Sequence, residues 1–177
     1  MTDLVVLLDP EGRPCGTADR VGVHTDDTPY HLAFSSYLFD TEGNVLLTRR
    51  ALGKRTWPGV WTNSCCGHPR PKEEARDAVV RRITEELGHA PGTLRLVLDS
   101  FSYRAVDASG IVENELCPVW IGSFDPALLA PDPEEVMDAT WVPWMTLENL
   151  AAEAPQLLSP WAVQQVPLLA VELNGKR

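Results

Sequence analysis

Three histidines and two glutamates carry the most suggestive chemistry in this chain. His24 and His31 flank the segment TDDTPY, His68 follows two cysteines in TNSCCGHPR, and Glu113 and Glu115 stand two positions apart in IVENELCPV. A strand points alternate side chains to opposite faces, so both carboxylates project the same way. Among apolar neighbours, two such acids face burial as like charges, a cost that a cation or a proton must offset. Imidazole nitrogens together with carboxylate oxygens suit a borderline divalent ion such as Mn, Zn or Fe. Five such ligands make a near-octahedral shell rather than the closed tetrahedron of a structural zinc. Taken singly, each histidine is equally an ordinary hydrogen-bonded residue, and the spacing matches no standard metal motif.

Cys66 and His68 are also two apart, so in an extended segment they share a face while Cys65 points the other way. A cysteine beside a cation or metal site can serve as base or nucleophile, whereas one facing a core is a small inert hydrophobe. The residues alone favour the inert reading for both. A second locality is TRRALGKR, where Arg49, Arg50, Lys54 and Arg55 crowd together in a chain whose formal net charge is −10. Guanidinium and ammonium groups suit phosphate oxygens, although such a run is equally a solvated loop. The acidic whole argues against nonspecific nucleic-acid or anionic-lipid binding, because there is no basic excess to release phosphate counterions.

The elements that position these residues follow from periodicity. HLAFSSYLF and VLLTRRA, separated by DTEGN, predict a hairpin over 31–50. From Lys72 to Leu87, apolar Ala75, Val79, Ile83 and Leu87 recur every four residues, with Glu73 and Glu74 before them and Gly88 after, which predicts a helix. LRLVLDSFSYRAV and IVENELCPVWIGSF read as two strands joined by DASG. EVMDATWVPW adds a strand, MTLENLAAEA a helix, and SPWAVQQVPLLAVEL a final helix that Pro167 should bend or interrupt. The sheet is expected to be mixed or mostly antiparallel. With 177 residues and 44% hydrophobic content, one domain spanning 1–177 is expected. No stretch approaches the roughly 18–20 apolar residues of a membrane span. Cys15, Cys65, Cys66 and Cys117 show no disulfide pattern, which suggests reduced thiols and a cytoplasmic setting with neither signal nor anchor.

GHPRPKEEARDAVVRRITEELG resembles the Nudix box, with Gly67, Glu73, Arg81, Ile83, Glu85, Glu86 and Gly88 in register. The departure is Arg82, which stands where Nudix hydrolases carry a glutamate of their catalytic metal site. TRRALGKRTWPGVWTNSCCGHP, YRAVDASGIVENELCPV, SPWAV and HTDDTPYHLAFSS are similar to the type 1 isopentenyl-diphosphate isomerase family, a Nudix relative, from about residue 4 to residue 165.

That resemblance implies an α+β, α/β/α-layered Nudix fold: a mixed, mostly antiparallel sheet flanked by helices, with extra N-terminal strands. It implies that His24, His31, His68, Glu113 and Glu115 bind one divalent ion, Mn, Zn or Mg, and that Glu86 and Cys66 lie at a Mg ion carried with the substrate diphosphate. Cys66 corresponds to the family's catalytic cysteine, with Cys65 at a position that tolerates an apolar residue. Arg20, Arg50, Lys54 and Arg82 would contact the diphosphate, although a lysine rather than an arginine is expected at Arg20. Trp161 would close over the hydrocarbon. The implied reaction is the 1,3 proton shift that interconverts isopentenyl and dimethylallyl diphosphates, with Glu115 beside Tyr103 as candidate acid and Cys66 as candidate base. Which of the two donates in the forward direction stays open. The expected partners are small allylic and homoallylic diphosphates, without nucleic acid or membrane, for a monomer or homodimer. A Nudix diphosphohydrolase and a non-catalytic metal-dependent binding module are the alternatives; Arg82 counts against the first.

Overall fold

The computed structural model describes residues 3–174. Strands β1 (Leu4–Leu8) and β2 (Pro14–Asp19) form an antiparallel hairpin. After a loop come β3 (His31–Leu32) and β4 (Phe34–Phe39), and the chain then reverses into β5 (Asn44–Arg50) as the turn chemistry predicts. Two short strands, β6 (Trp61–Thr62) and β7 (Cys65–Gly67), pair with β5 and β4 respectively and lead into helix α1 (Ala75–Leu87). Strands β8 (Leu94–Leu98), β9 (Ser102–Val106), β10 (Val112–Leu116), β11 (Val119–Ser123) and β12 (Val136–Pro143) follow, then helices α2 (Trp144–Glu153) and α3 (Pro160–Asn174).

The strands make two sheets, one ordered β2-β1-β3-β10-β9 and the other β12-β5-β4-β11-β8, with β6 and β7 attached to β5 and β4. Pairing is antiparallel except for β3 with β10 and β4 with β11. These two parallel pairs are continuations of each other: the chain changes sheet at Ala33 in one strand and at Cys117–Pro118 in the other. Ala33 N–H donates to Leu116 O at 2.8 Å and Ser35 N–H to Pro118 O at 3.0 Å, so the backbone stays paired through the crossing. HLAFSSYLF, IVENELCPVWIGSF and LRLVLDSFSYRAV, each read as one strand from the sequence, are all divided between the two sheets; in IVENELCPVWIGSF, Pro118 removes a donor where the ladder must change partners.

The larger sheet lies between helical layers. Phe34, Leu38 and Leu46 pack with Val79, Ile83 and Leu87 of α1 on one face, while Tyr37, Val45 and Leu47 pack with Leu147, Val166 and Leu169 of α2 and α3 on the other. Helix α1 begins three residues later than the periodicity predicts, because Lys72 adopts φ +67 and the Glu73 carboxylate is engaged by Arg70 N–H and by Arg81. Pro167 lies inside α3 without interrupting it. Ala162, Val166 and Leu169 are buried on both sides of it, and such packing outweighs the roughly 3 kcal/mol intrinsic penalty. No described helix is long and apolar enough to cross a membrane.

Two stability effects follow from α1. Gly88 caps it at φ +86, and a Cβ there would sit 2.7 Å from Ala130 O. Gly88→Ala should therefore cost about 1–3 kcal/mol in urea or thermal unfolding. Glu73 is held below the ordinary glutamate range, chiefly by its hydrogen bond from Arg81. Its contribution is thus fully present above the unfolded carboxylate's pKa and is lost as pH falls through the folded one. Glu73→Gln should destabilise at pH 7, and the difference from wild type should vanish in strong acid, as measured by urea midpoints across pH.

Candidate active site

The residues singled out from the sequence meet where the two sheets diverge. Residue pairing explains part of this: Glu115 of β10 lies opposite His31 on one side and Tyr103 on the other. Tyr103 donates its hydroxyl to Glu115 Oε2 at 2.9 Å. The other carboxylate oxygen is 3.2 Å from His68 Nε2 and 3.5 Å from His31 Nε2. His31 Nδ1–H donates to Pro29 O at 2.9 Å, so Nε2 faces the cluster, with a hydrogen for Glu115 when the ring is protonated and a lone pair for a metal when it is neutral. One donor atom each from His24, His31, His68 and Glu115 lies within 4.8 Å of the others, so this group could hold a metal ion.

Glu113 adjoins the group through His24. Its Oε2 is 3.0 Å from His24 Nε2, yet the two atoms are misaligned for a hydrogen bond, and both are buried without a hydrogen-bond partner. Orphaned lone pairs turned toward one point are what ligands of a shared cation present, so the residues fit a borderline divalent ion. Glu113 Oε1 accepts from the Thr56 hydroxyl at 2.7 Å, and Thr56 in turn receives Arg50.

Burial and charge divide the titrations. Burial pushes the His68 imidazole down to about 4. For Glu115 burial works upward, but hydrogen bonds from His31 and His68 prevail and hold it well below the carboxylate range. Burial, with Glu115 nearby, raises Glu113. The Cys66 thiol is raised to about 11, again chiefly by burial.

A cavity of about 300 Å³ is lined by His24, His68, Glu113 and Glu115, by Cys66, Tyr103 and Trp161, and by Arg20, Arg50, Lys54, Arg82 and Glu86. Among the expected site residues His31 alone is set back from it, fully buried behind His68. The cavity has two characters. At one end Trp161, Tyr103 and Cys66 form an apolar wall, with Trp57 edge-on to Trp161 and Arg50 5.7 Å from the Trp161 ring centre. Trp57 is held there at φ +44, uncommon for an aromatic residue. At the other end Arg82 pairs with Glu85, Glu86 and Glu135, and Lys54 pairs with Glu135. Arg20 pairs with Asp3 at the rim.

The two thiols part as strand alternation predicts. Cys65 packs under α1 and donates to Glu86 Oε2 at 3.4 Å, while Cys66 faces the aromatic wall. Cys117 is buried behind that wall against Ser35, and His89 sits at the end of α1 with its ring against Phe124. Trp61 does not line the cavity and packs against the core formed with α2 and α3.

Glu135, Thr56 and Asn63 were not anticipated. Glu135 lines the cavity from the turn just ahead of β12, where its carbonyl accepts from Ala51 N–H at 3.0 Å, and no local motif announces that. Asn63 and Thr56 lie inside quoted strings, but their roles depend on partners far away in sequence.

The family model of the NUDIX domain matches residues 29–164. Among solved structures, a Deinococcus radiodurans protein, DR0079, superposes with TM-score 0.71 at 16% identity over 93% of this chain and 98% of its own. A MutT protein from Methanosarcina mazei gives 0.63 at 19% identity over 80% and 96%. The fold is therefore of the NUDIX class. Relatives named isopentenyl-diphosphate Delta-isomerase are 58% identical in Frankia alni, over 93% of this chain and 84% of that one, and 57% identical in Mycolicibacterium vanbaalenii, over 99% and 96%. The chain belongs to the isopentenyl-diphosphate Delta-isomerase family of NUDIX proteins.

The hydrogen bond to Glu113 yields a metal-affinity test. Thr56→Val should weaken Mn or Zn binding by about 10–100-fold, the usual effect of deleting a partner that orients a ligand. Calorimetric titration of the apoprotein would measure it.

Proposed function

We propose that this chain interconverts isopentenyl diphosphate and dimethylallyl diphosphate by a 1,3 proton shift. The observation that carries the reading is the single cavity in which a thiol, a carboxylate–phenol pair and a tryptophan face one end and paired cations the other. At about 300 Å³ the cavity is at the small end of ligand pockets and suits a short-chain diphosphate.

Arg82, Lys54, Arg50 and Arg20 hold the diphosphate, and the Glu86 carboxylate with the Cys66 backbone carbonyl would offer oxygen ligands to a Mg ion accompanying it. His24, His31, His68, Glu113 and Glu115 hold a second divalent ion, Mn, Zn or Mg. Once bound, it supplies positive charge that sets the proton affinity of Glu115.

An unactivated alkene is a very poor base, so the site must deliver a proton, tolerate a tertiary carbocation, exclude water and remove a proton from the neighbouring carbon. Cys66 and Glu115 are the donor and acceptor pair. They reach the cavity from different sheets, β7 and β10, which lets them act on different carbons of one substrate. One must carry a proton when the other does not. Burial raises the Cys66 thiol, while against burial the neighbouring imidazoles lower the Glu115 carboxyl, so the two groups are set apart in proton affinity. The roles exchange when the reaction runs backward. Tyr103 keeps Glu115 in position, and the Trp161 face stabilises the cation by about 1–2 kcal/mol. Arg82 at the head of the anion end favours retention of the diphosphate over its hydrolysis. Four unpaired thiols fit a reducing cytoplasm.

Proton NMR of isopentenyl diphosphate with the protein, Mg and Mn in deuterated water should show dimethylallyl diphosphate carrying deuterium, with no phosphate released. Cys66→Ala and Glu115→Gln should each lower turnover by at least about 100-fold. Phosphate release would point to a hydrolase instead, and near-normal turnover of Cys66→Ala would refute the assignment of the thiol.

A further inference from the structure

Within WTNSCCGH, Asn63 belongs neither to the metal cluster nor to the cations, and yet its side chain touches the reactive wall. It is fully buried between β6 and β7. Its Nδ2 donates to two backbone carbonyls, Ser36 O and Cys65 O, each at 3.0 Å. A flipped amide would set its oxygen against both carbonyl oxygens, so the orientation is fixed. Oδ1 is thereby aimed at three donors: the Cys66 thiol at 3.2 Å, the Trp161 indole N–H at 2.9 Å and the Thr62 hydroxyl at 2.8 Å. The Thr62 hydroxyl also contacts Ser159 at 2.8 Å, just ahead of the helix that bears Trp161.

Cys66 and Trp161 stand on elements distant in sequence, β7 and α3. One rigid carbonyl oxygen, anchored to the sheet through its own amide nitrogen, joins them. We propose that Asn63 is a positioning residue that holds the Cys66 sulfur and the Trp161 ring in fixed relation across the hydrocarbon end of the cavity. This rests on the isomerase reading above. Through Asn63 the group that exchanges the proton and the ring that faces the resulting cation keep one geometry, so that the cation forms where the sulfur can act on it. Substrate affinity, which depends on the diphosphate end, does not involve Asn63.

The test compares wild type, Asn63→Ala and Trp161→Phe in turnover of isopentenyl diphosphate and in the side-chain indole signals of ¹⁵N-labelled protein, with the Trp161 signal identified by its loss in Trp161→Phe. Asn63→Ala should lower kcat by about 100-fold, the scale of an ångström-level misplacement, while KM changes little. Its Trp161 indole signal should shift, and that N–H should exchange at least about tenfold faster. A folded Asn63→Ala protein with unchanged kcat, or with an unmoved Trp161 signal, overturns the proposal, as does a loss confined to KM. Should Asn63→Ala fail to fold, Trp161→Phe decides: it keeps an aromatic face and deletes the N–H that Asn63 accepts. A kcat loss of about 100-fold with KM retained, beyond what the weaker face of Phe accounts for, supports the proposal, and a loss of about tenfold or less overturns it. Wild-type protein inactive on isopentenyl diphosphate would defeat the isomerase reading, leaving the indole signal to judge the Asn63 contact.

Discussion

The site is organised around the burial of two carboxylates side by side on one strand. Glu113 and Glu115 are only 6% and 5% exposed, and two like charges that close and that dry cannot persist without compensation. Each compensating group comes from a different part of the fold. His31 arrives on the parallel neighbour strand, Tyr103 on the antiparallel one, His68 from the end of β7, and His24 and Thr56 from loops. The change of sheet at Ala33 and at Cys117–Pro118 makes this possible, since it opens a wedge between the two sheets into which side chains from both can converge.

The same cavity solves a second electrostatic problem at its other end. In a chain of net charge −10, the cations that could take a diphosphate are concentrated locally around this cavity. Arg82 and Lys54 share Glu135, and Arg82 also engages Glu86. These acids keep the cationic side chains extended into the cavity and prevent the cluster from repelling itself. Opposite that cationic end lies the wall of Trp161 and Tyr103, with Trp57 edge-on to Trp161, an apolar surface that can accommodate hydrocarbon and keep water away.

Legibility from the sequence was uneven for physical reasons. The hairpin at 31–50 and helix α1 were readable because their signals are local: turn residues between β-formers, and a four-residue apolar period closed by Gly88. The split of IVENELCPVWIGSF between two sheets was not, since an apolar run looks the same whichever sheet its halves join. Pro167 misled because a local rule about helix interiors says nothing of the burial that holds α3 together. Among site residues, those in recognisable strings all came to the cavity or its immediate back wall. Glu135 escaped because its place is set by backbone pairing with Ala51, distant in sequence, and not by a motif.

The reaction, and Arg82 as an anion contact rather than a hydrolase ligand, came from the resemblance of whole strings to a family; spacing by itself determined that acids two apart on a strand share a face and that Cys65 and Cys66 part. Those last conclusions follow from strand geometry, which is a property of neighbouring residues. What only the tertiary structure decided was which distant groups meet. The approach of His24 Nε2 to Glu113 Oε2, the shared acid between Lys54 and Arg82, and the carboxamide joining Cys66 to Trp161 all depend on how two sheets and a C-terminal helix pack. Packing is set by summed burial across the whole chain, and no short segment contains that information.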